Sequence, residues 1–420
     1  MRRLVLLVRL ALRGVFREAR RSVLTASAMA LGLALLIFSR ALADGAHEDW
    51  IDIGVRFASG HVAIQAPGYL ESGSLDQRLD SEQVRRSEQA LQALADSGAV
   101  VQTTTRLSVF GLASSAQSAL PVQVVGVIPA DEGPFSELES KLIEGSYLEA
   151  DDRLAAYIGI GLAERLGLEV RSRFVLTAQG AQGDIEGQLV RVKGIFRSGL
   201  TELDEGLIHV PIETARDWLS APGAATTIAI MAPHSGAVDA AVDALRARLD
   251  HPGVLVLPWQ QSTPELDSMV RMDDYGDYIF HGLLFGIVAL AILNAVLMSV
   301  LYRKREFGVL QALGLSPGET GTLVFIEGVF LTAVSGLVGM AVGFSVTWLF
   351  FRDGLDLSFM FDQELTFSGL VFDPVMVPVF KLAHVTQSIV FTLVIGVAAS
   401  LYPALHASHL DPAEAVKWEG

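Results

Sequence analysis

Residues 278–305 read YIFHGLLFGIVALAILNAVLMSVLYRKR. From Tyr278 to Tyr302 there is no Asp, Glu, Lys or Arg, and the run closes on Arg303-Lys304-Arg305. A helix rises about 1.5 Å per residue and the hydrocarbon core of a bilayer is about 30 Å thick, so about 20 apolar residues cross it. The stretch predicts a transmembrane helix at 278–302. Three more segments pass the same test, at 22–43, within 321–351 and at 386–405. The third carries one acid, Glu327, near its start and within reach of the headgroups. The whole chain agrees with this reading. Of 420 residues 51% are hydrophobic and only 19% charged, against about 25% charged in soluble domains, and mean hydropathy is +0.43.

Charge orients the spans, because short loops rich in Lys and Arg stay in the cytoplasm. Ahead of the first span stand Arg2, Arg3, Arg9, Arg13, Arg17, Arg20 and Arg21 against Glu18 alone. Arg303, Lys304 and Arg305 follow the second span, whereas the loop at 352–385 is acidic. Both termini are therefore expected in the cytoplasm, and residues 44–277 and 352–385 on the far side. In residues 1–21, Leu4, Leu7, Val8, Leu12, Val15 and Phe16 face away from Arg2, Arg9, Arg13, Arg17 and Arg20. That is the pattern of an amphipathic helix on the inner membrane face. Ala41-Leu42-Ala43 has the spacing of a signal-peptidase site, but the basic lead before it is long for a signal peptide, which favours a retained anchor.

Residues 44–272 hold 17 basic and 32 acidic side chains, so most of the net charge of −16 resides there. The segment is long enough to bury its own core. β-rich runs at 61–65, 99–109, 122–128, 174–177, 189–196, 207–210, 226–231 and 254–257 alternate with helical periodicity at 81–96, where Ser81 opens the helix, and at 160–166, 213–219 and 237–250. A mixed α/β domain follows, expected as two sub-lobes divided near 128–150. The expected fold class is a polytopic α-helical membrane protein: four transmembrane helices, with a large α/β extracytoplasmic domain inserted between the first and second.

Several chemistries lack their residues. The acidic balance excludes a nucleic-acid partner, and without cysteine there is no disulfide, thiol nucleophile or Cys-bound zinc. There is no G-x-x-x-x-G-K-[ST] loop for nucleotide phosphates. Gly159-Ile160-Gly161 starts like a dinucleotide fingerprint, but Glu164 stands at its third glycine position. His47-Glu48 lacks the second histidine of a zinc helix, and His406 with His409 is a lone pair. No catalytic residue, bound cofactor or metal is expected in this chain. Gly282 with Gly286, and Gly339 with Gly343, have the four-residue spacing that lets helices approach closely; ordinary bundle packing is the favoured role.

Two cytoplasmic segments carry a more specific pattern. One is Arg303-Lys304-Arg305-Glu306-Phe307-Gly308-Val309-Leu310-Gln311-Ala312-Leu313-Gly314, with Glu327-Gly328 in the next span. The other is Leu401-Tyr402-Pro403-Ala404, Ala407-Ser408 and Leu410-Asp411-Pro412-Ala413-Glu414-Ala415-Val416. Both resemble the FtsX-like, MacB-like family of ABC transporter permeases. Gly126-Val127-Ile128-Pro129, Glu144-Gly145-Ser146-Tyr147-Leu148 and Val192-Lys193-Gly194-Ile195-Phe196 resemble its lipoprotein-releasing branch.

The resemblance implies a permease working as a pair, with a second copy or a sister permease, on a separate cytoplasmic P-loop ATPase that binds ATP and Mg. It implies that Arg303, Lys304, Arg305, Glu306, Gly308, Leu310, Ala312, Leu313 and Gly314 form the ATPase-coupling segment. On charge alone, the basic residues there do no more than anchor the span. Asp411 reads as a helix N-cap, with Pro412 at the first helical position and Glu414 in the first turn; the resemblance adds a second ATPase contact there. The implied work is extraction of lipoproteins from the outer leaflet of the bacterial inner membrane, for a periplasmic carrier, with membrane lipid around the spans. The alternatives are an exporter of a small molecule or peptide from the periplasm outward, a transmembrane regulator of a cell-wall hydrolase, and an anchored receptor with no ATPase.

Overall fold

The computed structural model describes residues 7–11, 13, 19–95, 100–249, 251–356, 366–367, 370–371 and 375–409. Most of the segment expected as an amphipathic helix at 1–21 lies outside these residues, as do Asp411, Pro412 and Glu414. The chain divides into two compact units, one comprising residues 1–47, 272–357 and 375–420, the other 48–271 and 358–374.

The second unit begins within helix α1 (Ala19–Phe57) and is dominated by one sheet. After strand β1 (Val62–Gln65) comes helix α2 (Ser81–Ala95), which buries Val84, Ser87, Leu91 and Leu94, a spacing that keeps one face inward. Its cap is Asp80 rather than Ser81. Asp80 Oδ1 accepts from the backbone N–H of Glu82 and of Gln83 at 2.9 Å, and a carboxylate there also suits the positive helix end. Strands β2 (Gln102–Ser114) and β3 (Ala119–Val127) form a long hairpin. Helix α3 (Pro129–Ser136) and strands β4 (Leu142–Gly145) and β5 (Ala155–Gly159) follow. Helix α4 (Ile160–Leu166) leads to the hairpin of β6 (Arg173–Gln179) and β7 (Ile185–Phe196). Strand β8 (Leu207–Pro211), helix α5 (Ile212–Trp218), strand β9 (Thr227–Met231), helix α6 (Val238–Arg246) and strand β10 (Leu255–Pro258) complete the unit.

The sheet runs in the order β10-β1-β9-β2-β3-β8-β5-β7-β4, with β6 beside β2 and β7. It is mixed: β3 and β8 run parallel, as do β5 and β7. The two largest of the apolar cores among the described residues lie on it. One gathers Val62, Ile64, Leu79, Leu91, Ile228 and Leu245; the other gathers Leu107, Val124, Ile158, Phe174, Val192 and Trp218. The chain leaves the first core along β2 and returns to it before β9. Leu75 apart, the second core is thus inserted within the first.

The first unit contains the apolar helices. Helix α7 (Pro264–Tyr302) enters it after Arg271, and helix α8 (Lys304–Ala312) turns into helix α9 (Pro317–Phe351). Ser316 opens α9 with a reciprocal capping box to Glu319, and Pro317 occupies the first turn. Helix α10 (Leu382–Ser408) closes the unit. Together with α1 these give four helices long and apolar enough to cross a membrane. Five of their buried hydroxyls are satisfied locally: Thr332, Thr347, Ser388, Thr392 and Ser400 each donate to the carbonyl four residues earlier, which matters where no water is at hand.

The glycine pairs differ. A Cβ on Gly339 would lie 2.6 Å from Ala30 O, and one on Gly343 would lie 3.1 Å from Ala34 Cα, so both permit close approach of α9 to α1. At Gly282 and Gly286 a Cβ would meet nothing within 4 Å. The first pair packs helices within this chain and the second does not.

Candidate functional site

The segment at 303–314 is held by a polar clamp and an apolar plug. Arg303, at the entry to α8, is buried; its Nη1 donates to both carboxylate oxygens of Glu327 at 2.6 Å, and its Nε donates to Glu306 at 3.0 Å. The guanidinium also lies over the Phe307 ring, 5.1 Å from its centroid. Phe307 itself is buried with Val300, Leu323, Val324, Ala404 and Ala407. Leu7 and Ala11 join that cluster, so this part of the leading segment turns its apolar side onto protein.

These contacts sort the residues of the segment. Arg303 and Gly308 face inward and Lys304, Glu306 and Leu310 are half-buried, whereas Arg305, Ala312, Leu313 and Gly314 are exposed. Val309 is exposed as well, and Leu313 reaches 80%. Arg305, Val309, Ala312 and Leu313 recur at the three- to four-residue spacing that places them on one side of a helix. Gly314, at φ 105, makes the turn that a side chain would resist. The arrangement is a short, mostly apolar exposed face with one arginine, braced from behind.

Sequence reasoning put Glu327 within reach of the headgroups and gave it no partner; in the structure it pairs with Arg303. The signal was present: a carboxylate inside an apolar run needs a partner, and the nearest cations were Arg303, Lys304 and Arg305. Phe307 was quoted as part of a motif without its role as the plug.

A second buried polar cluster lies in the sheet unit. Arg106 on β2 donates through Nε and Nη2 to the two carboxylate oxygens of Glu132 at 2.9 and 2.7 Å, and Thr104 Oγ1 donates to the same carboxylate at 2.8 Å. The rest of the guanidinium donates to Ala58 O at 2.6 Å and Arg56 O at 2.9 Å, satisfying carbonyls that the end of α1 leaves without helical partners. Burial pushes the Glu132 carboxyl up, but the charge and hydrogen bonds of Arg106 outweigh it and hold the group below its ordinary value. Burial pushes the His209 imidazole down to about 4, against the pull of Glu132. No residue of this cluster was singled out from the sequence, because polar residues brought together from β2, α3 and β8 leave no mark in spacing.

Comparison with known proteins matches residues 22–248 to the MacB-like periplasmic core domain and residues 278–412, which include α8, to the FtsX-like permease C-terminal domain. The chain is 25% identical over 312 residues to the lipoprotein-releasing system transmembrane protein LolC of Neisseria meningitidis serogroup B, covering 71% of this chain and 73% of that one. It is 24% identical over 446 residues to the uncharacterized ABC transporter permease YvrN of Bacillus subtilis, covering 98% and 99%. A solved structure, the periplasmic region of MacB from Actinobacillus actinomycetemcomitans, is 10% identical and covers 51% of this chain at a TM-score of 0.35.

Proposed function

The chain belongs to the FtsX-like, MacB-like family of ABC transporter permeases, and from that premise we propose that it extracts lipoproteins from the outer leaflet of the bacterial inner membrane for a periplasmic carrier. The observation that carries this reading is the likeness to a lipoprotein-releasing permease across 71% of the chain. In this reading both termini and α8 are cytoplasmic, in line with the positive-inside rule. The sheet unit between α1 and α7 is then extracytoplasmic. A separate ATPase hydrolyses ATP with Mg, and this chain catalyses nothing itself. The permease pairs with a second copy or a sister chain.

Lipid anchoring explains the need for ATP. Each buried CH₂ of an acyl chain holds a lipoprotein in the bilayer by about 0.8 kcal/mol, so several chains make spontaneous release negligible. ATPase motion enters through the exposed side of α8. The Arg303–Glu327 clamp passes it to α9, because a braced segment moves with the helix it is tied to.

Depleting the protein tests the cargo. Lipoproteins accumulating in the inner membrane are the expected result. Normal lipoprotein sorting with a division defect overturns it in favour of a hydrolase regulator, and normal sorting with lost efflux favours an exporter. Purification from membranes in mild detergent tests the partner: a P-loop ATPase is expected at fixed stoichiometry, and recovery of the chain alone overturns the coupling assignment.

A further inference from the structure

Residues 44–272 hold 17 basic and 32 acidic side chains, yet one cavity of the sheet unit reverses that balance. Its volume is about 890 Å³, within the range of small-molecule sites. Arg153, Arg171, Arg173, Arg191 and Lys193 line it against a single acid, Asp152. Five of the 17 cations and one of the 32 acids thus meet at one hollow, which also takes in the apolar side chains of Leu154 and Leu189.

Three segments carry these side chains, and backbone hydrogen bonds tie them together. The Arg191 N–H donates to Leu154 O at 2.8 Å, the Arg171 N–H to Val192 O at 2.8 Å, and the Val192 N–H to Ser172 O at 3.0 Å. Leu154 and Arg171 stand in the left-handed region at φ 59 and 75, two of the four non-glycine residues that do so among the described residues. Such conformations are costly for a residue with a Cβ and gather at ligand clamps. Arg173 on β6 lies directly opposite Arg191 on β7, where like charges weaken a strand pair. Lys193 is answered: its Nζ donates to Asp152 Oδ2 at 2.6 Å and lies 3.4 Å from Glu149. Among the described residues the four arginines have no ion pair and no side-chain hydrogen bond, and all four are exposed.

We propose that this cavity binds a diphosphate group, held by Arg153, Arg171, Arg173 and Arg191. Charge selects the class. Each guanidinium offers a fixed fork of donors that fits phosphate oxygens, and four unanswered cations around one hollow call for dense negative charge. A phosphate carries about −1.5 to −2, so two adjacent ones match four guanidiniums, whereas carboxylates would have to be crowded in as four separate side chains. A dianion between Arg173 and Arg191 also removes their mutual repulsion. The backbone frame is already hydrogen-bonded, so binding has only side chains left to order. A free diphosphate ion and the headgroup of a lipid diphosphate offer the same chemistry. The inference concerns the sheet unit alone, so a failure of the lipoprotein reading leaves it standing.

The full-length protein in an uncharged detergent is titrated with inorganic pyrophosphate by calorimetry, in a buffer free of phosphate and of divalent metal. Saturation at one pyrophosphate per chain is the expected result, with an affinity that weakens as salt is added. Arg173→Gln combined with Arg191→Gln should lower that affinity about tenfold or more without lowering the unfolding temperature, because the two side chains repel. Arg153→Gln, in the loop before β5, should weaken binding by itself, so the test does not hang on one variant. Arg85→Gln alters an exposed arginine of α2 outside the cavity and should change nothing. Equal losses at 85 and 153 would mean diffuse attraction of counterions and overturn the proposal, as would a wild-type chain that neither pyrophosphate nor geranyl diphosphate saturates. Geranyl diphosphate, a soluble lipid diphosphate, separates the sources. Tighter binding than pyrophosphate assigns the cavity to a lipid headgroup resting on Leu154 and Leu189, and equal or weaker binding assigns it to the free ion. A hexaglutamate peptide that binds more tightly than either, and is lost in the same arginine variants, overturns the proposal in favour of an acidic protein segment.

Discussion

Arg303 and Glu327, 24 residues apart in sequence, form a buried bidentate ion pair in which one guanidinium nitrogen lies 2.6 Å from each carboxylate oxygen. Removing one member leaves a charge buried without its partner, which costs about 3–5 kcal/mol, whereas replacing both by apolar residues of similar size is often close to neutral. Arg303→Met and Glu327→Leu should each lower the unfolding free energy by about that amount, and the double variant should regain most of it. Thermal unfolding in detergent checks this. A double variant as unstable as the sum of the singles would show that the pair is not the brace.

The outward side of α8 behaves differently. Leu313 and Arg305 are exposed, and surface substitutions away from buried contacts usually change stability by less than about 0.5 kcal/mol. Leu313→Asp and Arg305→Glu should leave unfolding unchanged yet reduce co-purifying ATPase about tenfold or more, a loss of about 1.4 kcal/mol or greater. Quantitative mass spectrometry of the purified complex reads the ratio. If only the Arg303 variants lose the ATPase, the docking face lies elsewhere.

The two glycine pairs make a contrast within one spelling. A Cβ at Gly339 approaches Ala30 O and Leu33 Cβ at 2.6 and 3.0 Å, so Gly339→Leu should overpack the contact between α9 and α1 and cost about 1–3 kcal/mol. Gly339→Ala should cost less, and Gly286→Ala should be silent. Unfolding temperatures of the three variants decide it; equal effects at 286 and 339 would contradict the packing described here.

That contrast also marks how far the sequence could be read. The spans were legible because an uncharged run of 25 residues has few other uses, and the β2–β3 and β6–β7 hairpins because their strands are long. Strand β5, Ala155–Gly159, was missed: it is buried at every position, and Ala-Ala-Tyr-Ile-Gly has neither alternation nor a β-branched run to reveal it. Strand β4 was missed for the opposite reason, being exposed at every position. The residues at 303–314 were legible as a motif, but the division between those that brace the segment and those it displays depends on α9 and on Leu7 and Ala11. Whether a glycine pair packs or faces open space depends likewise on the neighbouring helix, which four-residue spacing does not name.

His209 and Glu132 give the sheet unit a pH dependence whose sign can be worked out. His209 is fully buried with its pKa pushed down to about 4, below the value of about 6.5 it regains on unfolding. Between these values the unfolded chain binds the extra proton, so stability falls as pH drops from about 6.5 towards 4 and then levels off. A shift of this size corresponds to about 3 kcal/mol. Glu132 adds to the same trend at lower pH. Its carboxyl is held below its ordinary value by Arg106, so its contribution is present above the unfolded carboxylate pKa and is lost as pH falls through the folded one. Hydrogen exchange of the backbone amides of β2 and β8 in the full-length protein, from pH 7.5 to 4.5, should show openings that grow more frequent as the solution is acidified. His209→Gln removes the histidine proton and should flatten the upper part of that curve, while Arg106→Met should destabilise the unit at every pH because Glu132 then stays buried without its cation. A His209→Gln curve parallel to that of the wild-type protein would place the titration on another group.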